Sequence, residues 1–407
     1  MTEIRRLTPD DLPQFRRMQA ISFNYPVDSS DEEHERDPLD HPESWIWGAF
    51  DKGKLVAGTY EIDFLMRFDG HSAKMTGIGG VASLPESRGG GYMRRIFEKI
   101  IPESYENGFV FSNLAPFSHD FYRKFGYETA CARKEITIDA KNFIPIKPYG
   151  EFINIIPSGD SSDAVLKDLA HIHSTYISNI NHAIHRDYWQ DNRAWKRFLK
   201  EEPWAKGTFL YLWRDENGTG RSYIRFNDAM SDGEHNISVR ELAFIDKKGL
   251  YGALGLIGGL STQYKNFKWM MPAFIDAFDF IGDAWVVETK ITPKDMTRVI
   301  NVKTALELMR RPDGQGEYVV EVLDDKTISA NNGKYLVEFG QEGSKVSITA
   351  KQPDIRCNVL ALSQLVTGYR TLENALLSRR DGLEVCGNLE TLNRVFTLRP
   401  QHVTEYF

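Results

Sequence analysis

Ile78-Gly79-Gly80-Val81-Ala82-Ser83-Leu84-Pro85-Glu86-Ser87-Arg88-Gly89-Gly90-Gly91-Tyr92-Met93-Arg94-Arg95 is the stretch of the 407-residue chain that decides how the rest is read. A strand with few bulky side chains runs into a loop of glycine and arginine. The loop opens directly on a helix, because Tyr92, Met93, Ile96, Phe97, Ile100 and Ile101 recur at helical spacing. Such a junction is an anion cradle. Backbone N–H groups of a glycine loop at a helix N-terminus converge on one point, the helix dipole adds partial positive charge there, and Arg88, Arg94 and Arg95 supply full charges. The glycines remove Cβ atoms, so an anion the size of a pyrophosphate can approach the backbone. Read alone, the loop also fits a solvated basic turn that caps a helix. It is not a Walker A loop, having no Gly-Lys-Ser/Thr, and it lacks Gly-x-Gly-x-x-Gly at the place a dinucleotide fold requires.

Upstream of the loop, Thr8 followed by Asp10 and Asp11 predicts a helix start, and Leu12, Phe15, Met18 and Ile21 carry the helix for about four turns. Asp28 to Glu43 is an acidic, proline-punctuated segment, read as a charged surface face or as a rim that attracts cations. Trp45–Phe50, Leu55–Leu65 and Ala73–Ser83 read as three antiparallel strands in meander order. Downstream come a strand at Val110–Leu114, a short helix at Ser118–Phe125 stopped by Gly126, and a strand at Glu128–Ile138 that is expected to close this unit.

Asn142–Pro148 reads as a linker. The second unit imitates the order of the first without its loop: a helix over Ala164–Asn179, strands at Thr208–Trp213, Ser222–Phe226 and Asn236–Ile245, and a helix over Leu250–Tyr264. The third has a helix at Val302–Met309, alternating strands at Tyr318–Leu323, Gly333–Phe339 and Lys345–Ala350, and helices at Val359–Leu365, Leu372–Leu377 and Leu389–Val395. The fold class is therefore α+β.

Composition excludes several functions. With 41% hydrophobic and 26% charged residues the chain is neither fibrous nor disordered, and no run of about 18 apolar residues predicts a membrane helix. Fifty basic against 57 acidic residues, a net charge of −7, argue against nucleic-acid binding and for cationic partners. Met1 to Asp10 has no signal-peptide pattern, so a cytoplasmic location is expected. Cys131, Cys357 and Cys386 have no metal-ligand spacing and read as reduced thiols. His171, His173, His182 and His185 cluster in sequence but lack a zinc-binding pattern, so no metal is expected. Gly252, Gly255, Gly258 and Gly259 read as a helix face built for close packing, and Trp204, Tyr211 and Trp213 as core or as a cavity wall.

Arg88-Gly89-Gly90-Gly91-Tyr92-Met93 is similar to the Arg/Gln-x-x-Gly-x-Gly/Ala signature of the GNAT N-acetyltransferases, with Met93 in place of the small last residue. In detail the chain resembles the Enhanced intracellular survival (Eis-type) branch of that superfamily. Further matches are Phe121-Tyr122-Arg123-Lys124-Phe125-Gly126-Tyr127, Val299-Ile300-Asn301-Val302-Lys303-Thr304-Ala305-Leu306-Glu307, and an end at Phe407. The resemblance implies a catalytic GNAT domain at 1–145, a degenerate second one at 146–284 and a sterol-carrier-protein-like domain at 285–407, whose terminal carboxylate reaches the active site. It also implies acetyl-CoA as cofactor. Val81, Ala82 and Ser83 would hold the pantetheine arm through a splayed strand, and Arg88, Gly89, Gly91 and Tyr92 the phosphates. Tyr122 matches the general acid and the Phe407 carboxylate the base. The implied acceptor is a cationic small-molecule amine of the aminoglycoside kind, and the implied assembly is a homo-oligomer, a hexamer. Asn24 stands where an acid is found in a relative, and Tyr406 in the penultimate place, with Glu405 before it.

The chemistry can be tested with magnitudes. A tyrosine near 10 facing a thiolate near 8.5 transfers its proton uphill by about 2 kcal/mol, so Tyr122 can assist as a hydrogen-bond donor. An α-carboxyl near 3.5 facing an alkylammonium near 10.4 is mismatched by roughly 9 kcal/mol. The Phe407 carboxylate is thus expected to attract and orient the amine rather than to deprotonate it directly, unless burial raises its pKa. Two alternatives remain at this point: acetylation of peptide or protein lysines, and a non-catalytic chain that senses coenzyme A or carries an apolar ligand.

Overall fold

Charge hides the first element. Thr2–Arg6 (β1) contains Glu3, Arg5 and Arg6 and shows no clear alternation, yet it pairs antiparallel with β2 (Ser44–Asp51) along its whole length. Thr8 then starts a helical turn with a capping box, its N–H and hydroxyl donating to the Asp11 carboxylate at 2.8 and 2.9 Å, and α1 (Leu12–Phe23) follows. Asn24 ends α1 in the left-handed region at φ 55°. In this computed structural model the described residues are 2–25, 44–142, 149–155, 163–188, 195, 198–199, 208–231, 233–278, 283–341, 343–378 and 382–405. The acidic segment Asp28–Glu43, the linker beyond Asn142, Trp204, Tyr406 and Phe407 lie outside them.

The meander forms as its β-rich runs and intervening turns predict: β2, β3 (Lys54–Phe68) and β4 (His71–Ser83) are antiparallel neighbours. One face of this sheet packs on α1 through Phe15, Met18, Ile46, Phe50 and Leu55. The other packs on α2 (Tyr92–Glu106), which buries Met93, Ile96, Phe97, Ile100 and Ile101. At about 1.5–3 kcal/mol for each fully buried large apolar side chain, this stripe anchors the helix behind the glycine loop. Next come β5 (Phe111–Leu114), α3 (His119–Arg123) and β6 (Glu128–Asp139).

Here one expectation is corrected. From Arg133 to Asp139, β6 pairs with β11 (Asn266–Pro272) of the second unit. The place beside β5 is taken instead by Met296–Val299, the end of β12 (Glu288–Val299). Which distant strand completes a sheet depends on the whole chain path, and β6 and β12 carry no local mark that assigns them. The chain accordingly divides into Met1–Cys131 with Lys294–Arg399, and Ala132–Pro293 with Pro400–Thr404.

In the second unit, β7 (Glu151–Asn154), β8 (Thr208–Arg214), β9 (Gly220–Ser231) and β10 (Glu234–Phe244) form an antiparallel run. Its helices include α4 (Asp163–Tyr176) and α5 (Lys247–Gly259), and β10 pairs in parallel with β11. Residues of the C-terminal tail join this unit through an Asn181–Gln401 bridge.

The last part of the first unit holds α6 (Val302–Leu308), β13 (Gly316–Leu323), β14 (Gly333–Gly340), β15 (Gly343–Ile348), β16 (Ile355–Asn358), α7 (Val359–Val366), α8 (Leu372–Leu376), β17 (Leu383–Val385) and α9 (Leu389–Val395). Its sheet runs β15-β14-β13-β16-β17. Tyr318, Val320, Val322, Tyr335, Val337 and Phe339 are buried, so the alternating faces fill their own core. Asp69, at the β3–β4 turn, accepts from the Arg310 N–H at 2.7 Å and forms an ion pair with Arg399 at 2.9 Å, both side chains nearly inaccessible. The turn is thereby locked to the residues that precede the tail.

Candidate active site

Strands β4 and β5 run in parallel register from Met75↔Phe111 to Ile78↔Leu114 and pair no further. On its other side β4 shifts register against β3 just where Gly80 lies, so one extra residue bulges there. Gly80 has φ 55°, and a Cβ on it would lie 2.5 Å from the Tyr60 ring. Its carbonyl is held by Gln19 Nε2 at 2.6 Å. The bulge and the end of pairing leave Val81, Ala82 and Ser83 beside a cleft of about 610 Å³.

All of Val81, Ala82, Ser83, Arg88, Gly89, Gly91 and Tyr92 line that one cleft, so the residues assigned to the cofactor from sequence converge in space. Gly89 and Gly91 have φ 83° and 75°, and a Cβ on either would meet no atom within 4 Å. They are glycine for backbone conformation and for access, not for packing. Gly91 is the N-cap of α2, and no side chain caps that helix. Its first-turn N–H groups therefore stay available to an anion.

Tyr122 is placed one layer back. It sits on α3, whose N-cap Ser118 accepts from the Phe121 N–H at 3.4 Å and whose end turns at Gly126 with φ 84°. The ring is 1% exposed and packs edge-on against Phe117, Phe97 and Tyr127 at 5.3, 5.9 and 6.3 Å. Phe117 and Phe121, its neighbours, line the cleft, whereas Tyr122 is part of the core behind them. Burial, and secondarily Tyr127, push the Tyr122 phenol above its usual value, so it keeps its proton throughout the physiological range. Tyr127 is likewise pushed up to about 12 by burial, while its hydroxyl and Ser112 Oγ lie 2.7 Å apart.

Several contributors escape the sequence reading. Gln19 is a polar residue within the apolar stripe of α1, and that irregularity is its only signal. Phe23 and Phe117 line the cleft while 52% and 69% exposed, and Lys124 lines it from the turn after α3. Arg298 of β12, 1% exposed, donates from Nη1 to the Phe125 carbonyl at 2.5 Å and from Nη2 to both carboxylate oxygens of Asp325 at 2.6 and 2.8 Å. A Cβ at Gly126 would collide with its guanidinium, so the end of α3 rests directly on Arg298.

Among the described residues no group of His, Cys, Asp and Glu is arranged to hold a metal. His173 and His182 are buried in the second unit, where desolvation lowers the pKa of both, that of His182 to about 4. Gly252 lies against the Trp213 ring, which a Cβ would overlap. Among the described residues no helix is long and apolar enough to cross a membrane.

Residues 3–130 match the model of the Acetyltransferase (GNAT) domain, and residues 302–404 that of the Sterol carrier protein domain. No curated protein matches the chain significantly. Among solved structures, a probable N-acyltransferase of Enterococcus faecalis is 21% identical with a TM-score of 0.84. A GCN5-related N-acetyltransferase of Anabaena variabilis is 17% identical with a TM-score of 0.87, and Eis1 of Mycobacterium abscessus 18% with 0.78. Each alignment covers 100% of both chains, so the likeness is one of fold along the whole length.

Proposed function

We propose that this chain, an enzyme through its GNAT acetyltransferase domain, is of the Eis type and moves the acetyl group of acetyl-CoA to an amine of a cationic small molecule by direct attack in a ternary complex. The observation that carries the reading is the convergence of Val81, Ala82, Ser83, Arg88, Gly89, Gly91 and Tyr92 on one cleft beside α3. Phosphates of the cofactor would meet the Gly89 and Gly91 backbone and the open end of α2. The pantetheine arm would extend along Val81–Ser83 and bring the thioester toward Phe117 and Phe121. A neutral amine attacks the carbonyl, the tetrahedral species collapses, and the departing thiolate takes a hydrogen bond or proton from Tyr122. With its pKa raised, Tyr122 is better suited to hydrogen-bond donation than to full transfer, which the sulfur can complete from water. The Phe407 carboxylate would orient the ammonium, and water would remove its proton.

Phe23 and Phe117 present exposed rings to the cleft, and an amine cation near such a face gains about 0.5–1 kcal/mol. Net charge of −7 favours the same class of acceptor. Within the proposal, 1–145 is the catalytic part, 146–284 a degenerate copy and 285–407 the part that delivers the terminus. Three free cysteines suit the reducing cytoplasm. Trp285, 97% exposed, and Ile291, 63% exposed, are candidates for burial in a homo-oligomer. The test is thiol release from acetyl-CoA across aminoglycosides, polyamines and lysine peptides. Turnover on aminoglycosides supports the acceptor class; turnover confined to peptides replaces it; light scattering reports the oligomer.

A further inference from the structure

The way the cleft strand presents its backbone is decided behind it, on α1. Between the pairs Tyr60↔Gly79 and Gly58↔Ala82, the single residue Thr59 of β3 stands opposite two of β4, Gly80 and Val81. Two residues against one leave backbone groups that the ladder cannot pair. The Leu84 N–H donates to the Val56 carbonyl at 3.0 Å, and ladder bonds between antiparallel strands recur at every second residue. Ala82 therefore also faces β3, while Val81 and Ser83 turn their N–H groups to the side where β5 has stopped pairing. On that side the Ser83 carbonyl lies 3.5 Å from Oγ of Ser22, a residue of the cleft wall.

The Gly80 carbonyl and the Val81 N–H belong to one planar trans peptide and point from its opposite edges. Gln19 Nε2 donates to that carbonyl at 2.6 Å from a helix whose neighbouring inward positions are Leu12, Phe15 and Met18. Gln19 is itself only 5% exposed. A buried amide costs stability unless it is bonded, and a leucine would fill this place without that cost. The preceding peptide is held as well, since Thr59, fully buried, donates from Oγ1 to the Gly79 carbonyl at 2.8 Å. The Tyr60 ring occupies the place of a Cβ on Gly80 and packs edge-on against Phe15 at 5.1 Å, so residue 80 cannot swing toward it. With glycine at both 79 and 80, no local steric barrier fixes the next peptide plane, and the Gln19 bond does so instead.

We propose that Gln19 is a positioning residue: by holding the Gly80 carbonyl it aims the Val81 N–H into the cleft, where that N–H donates to a carbonyl oxygen of the acyl-pantetheine arm. The inference rests on the reading of the cleft as an acyl-CoA site and adds the side chain that sets its geometry. Loss of the Gln19 amide lets the Gly80–Val81 peptide rotate, so the arm loses a preset donor. The glycine loop and the start of α2, which face the phosphates, are built by other residues.

The test is calorimetry on the full-length protein with two ligands, coenzyme A and 3′-phosphoadenosine 5′-diphosphate, which is coenzyme A without its pantetheine arm. Gln19→Leu is expected to weaken coenzyme A about tenfold and to leave the nucleotide within about twofold. Gly80→Ala, which displaces the same peptide through its clash with Tyr60, is expected to give the same selective loss and serves if Gln19→Leu does not fold. Equal weakening of both ligands makes Gln19 a support of the fold and overturns the proposal. So does coenzyme A binding that stays within about twofold of wild type in Gln19→Leu, or a wild-type protein that binds both ligands equally well, since the arm then gains nothing from β4. A wild-type protein that binds neither ligand overturns the cleft reading and the proposal together. That result is told apart from failure of the proposal alone, in which the wild type binds coenzyme A normally.

Discussion

Two strand-to-helix junctions in this molecule are built to the same plan and end differently. β4 leads into α2 after a bulge and is paired in parallel with β5; β10 carries a register shift at Val239/Glu241, leads into α5 and is paired in parallel with β11. At the first, the helix starts at a glycine and no side chain meets its N–H groups. At the second, Asp246 caps α5, accepting from the Gly249 N–H at 2.8 Å, and is itself paired with Arg221. The second helix brings its own carboxylate to the position that the first leaves uncapped. Gly249 and Gly252 then serve packing, against the Arg221 backbone and the Trp213 ring, rather than access. A glycine-rich helix start is therefore not by itself a phosphate site; what matters is whether the protein has already supplied the anion.

If the chemistry belongs to the first junction alone, Tyr122→Phe should lower kcat by about 100- to 1000-fold in steady-state assays while the Kd for coenzyme A stays constant. A fall in affinity instead would mean that Tyr122 only braces the cleft. Transplanting the second junction's device is the next largest effect. Gly91→Asp, at a left-handed position that aspartate tolerates, should weaken coenzyme A binding about 100-fold by calorimetry, and an unaltered Kd would break the comparison.

Acid should separate the halves further. His182 is neutral when folded and titrates near 4, whereas in the unfolded chain it takes up a proton below about 6.5. Stability is thus retained above about 6.5 and lost as pH falls through the window down to about 4, by about 3 kcal/mol for this residue. Urea unfolding of wild type and His182→Asn across that range should show the shallower slope in the variant. The smallest effect expected is for Asp246→Ala, a loss of about 1 kcal/mol in thermal unfolding with turnover unchanged, since that cap supports a helix and no cofactor.

What was legible in the sequence was local. The β-rich run within Lys54–Phe68, bounded by turns, and the spacing of Met93, Ile96, Phe97 and Ile100 depend on neighbours a few residues away, so each element could be read where it stands. The seven residues that line the cleft are close for the same reason, since strand, loop and helix start are consecutive, whereas the roles proposed for them came from the resemblance. Thr2–Arg6 escaped because strand pairing, not pattern, makes it a strand. Other features needed the tertiary structure: that Met296–Val299 and not β6 lies beside β5, that Tyr122 sits behind Phe117 and Phe121, and that Arg298 reaches the end of α3 from 173 residues away. Those outcomes are settled by which distant surfaces are buried together, a free energy summed over the whole chain that no window of sequence contains.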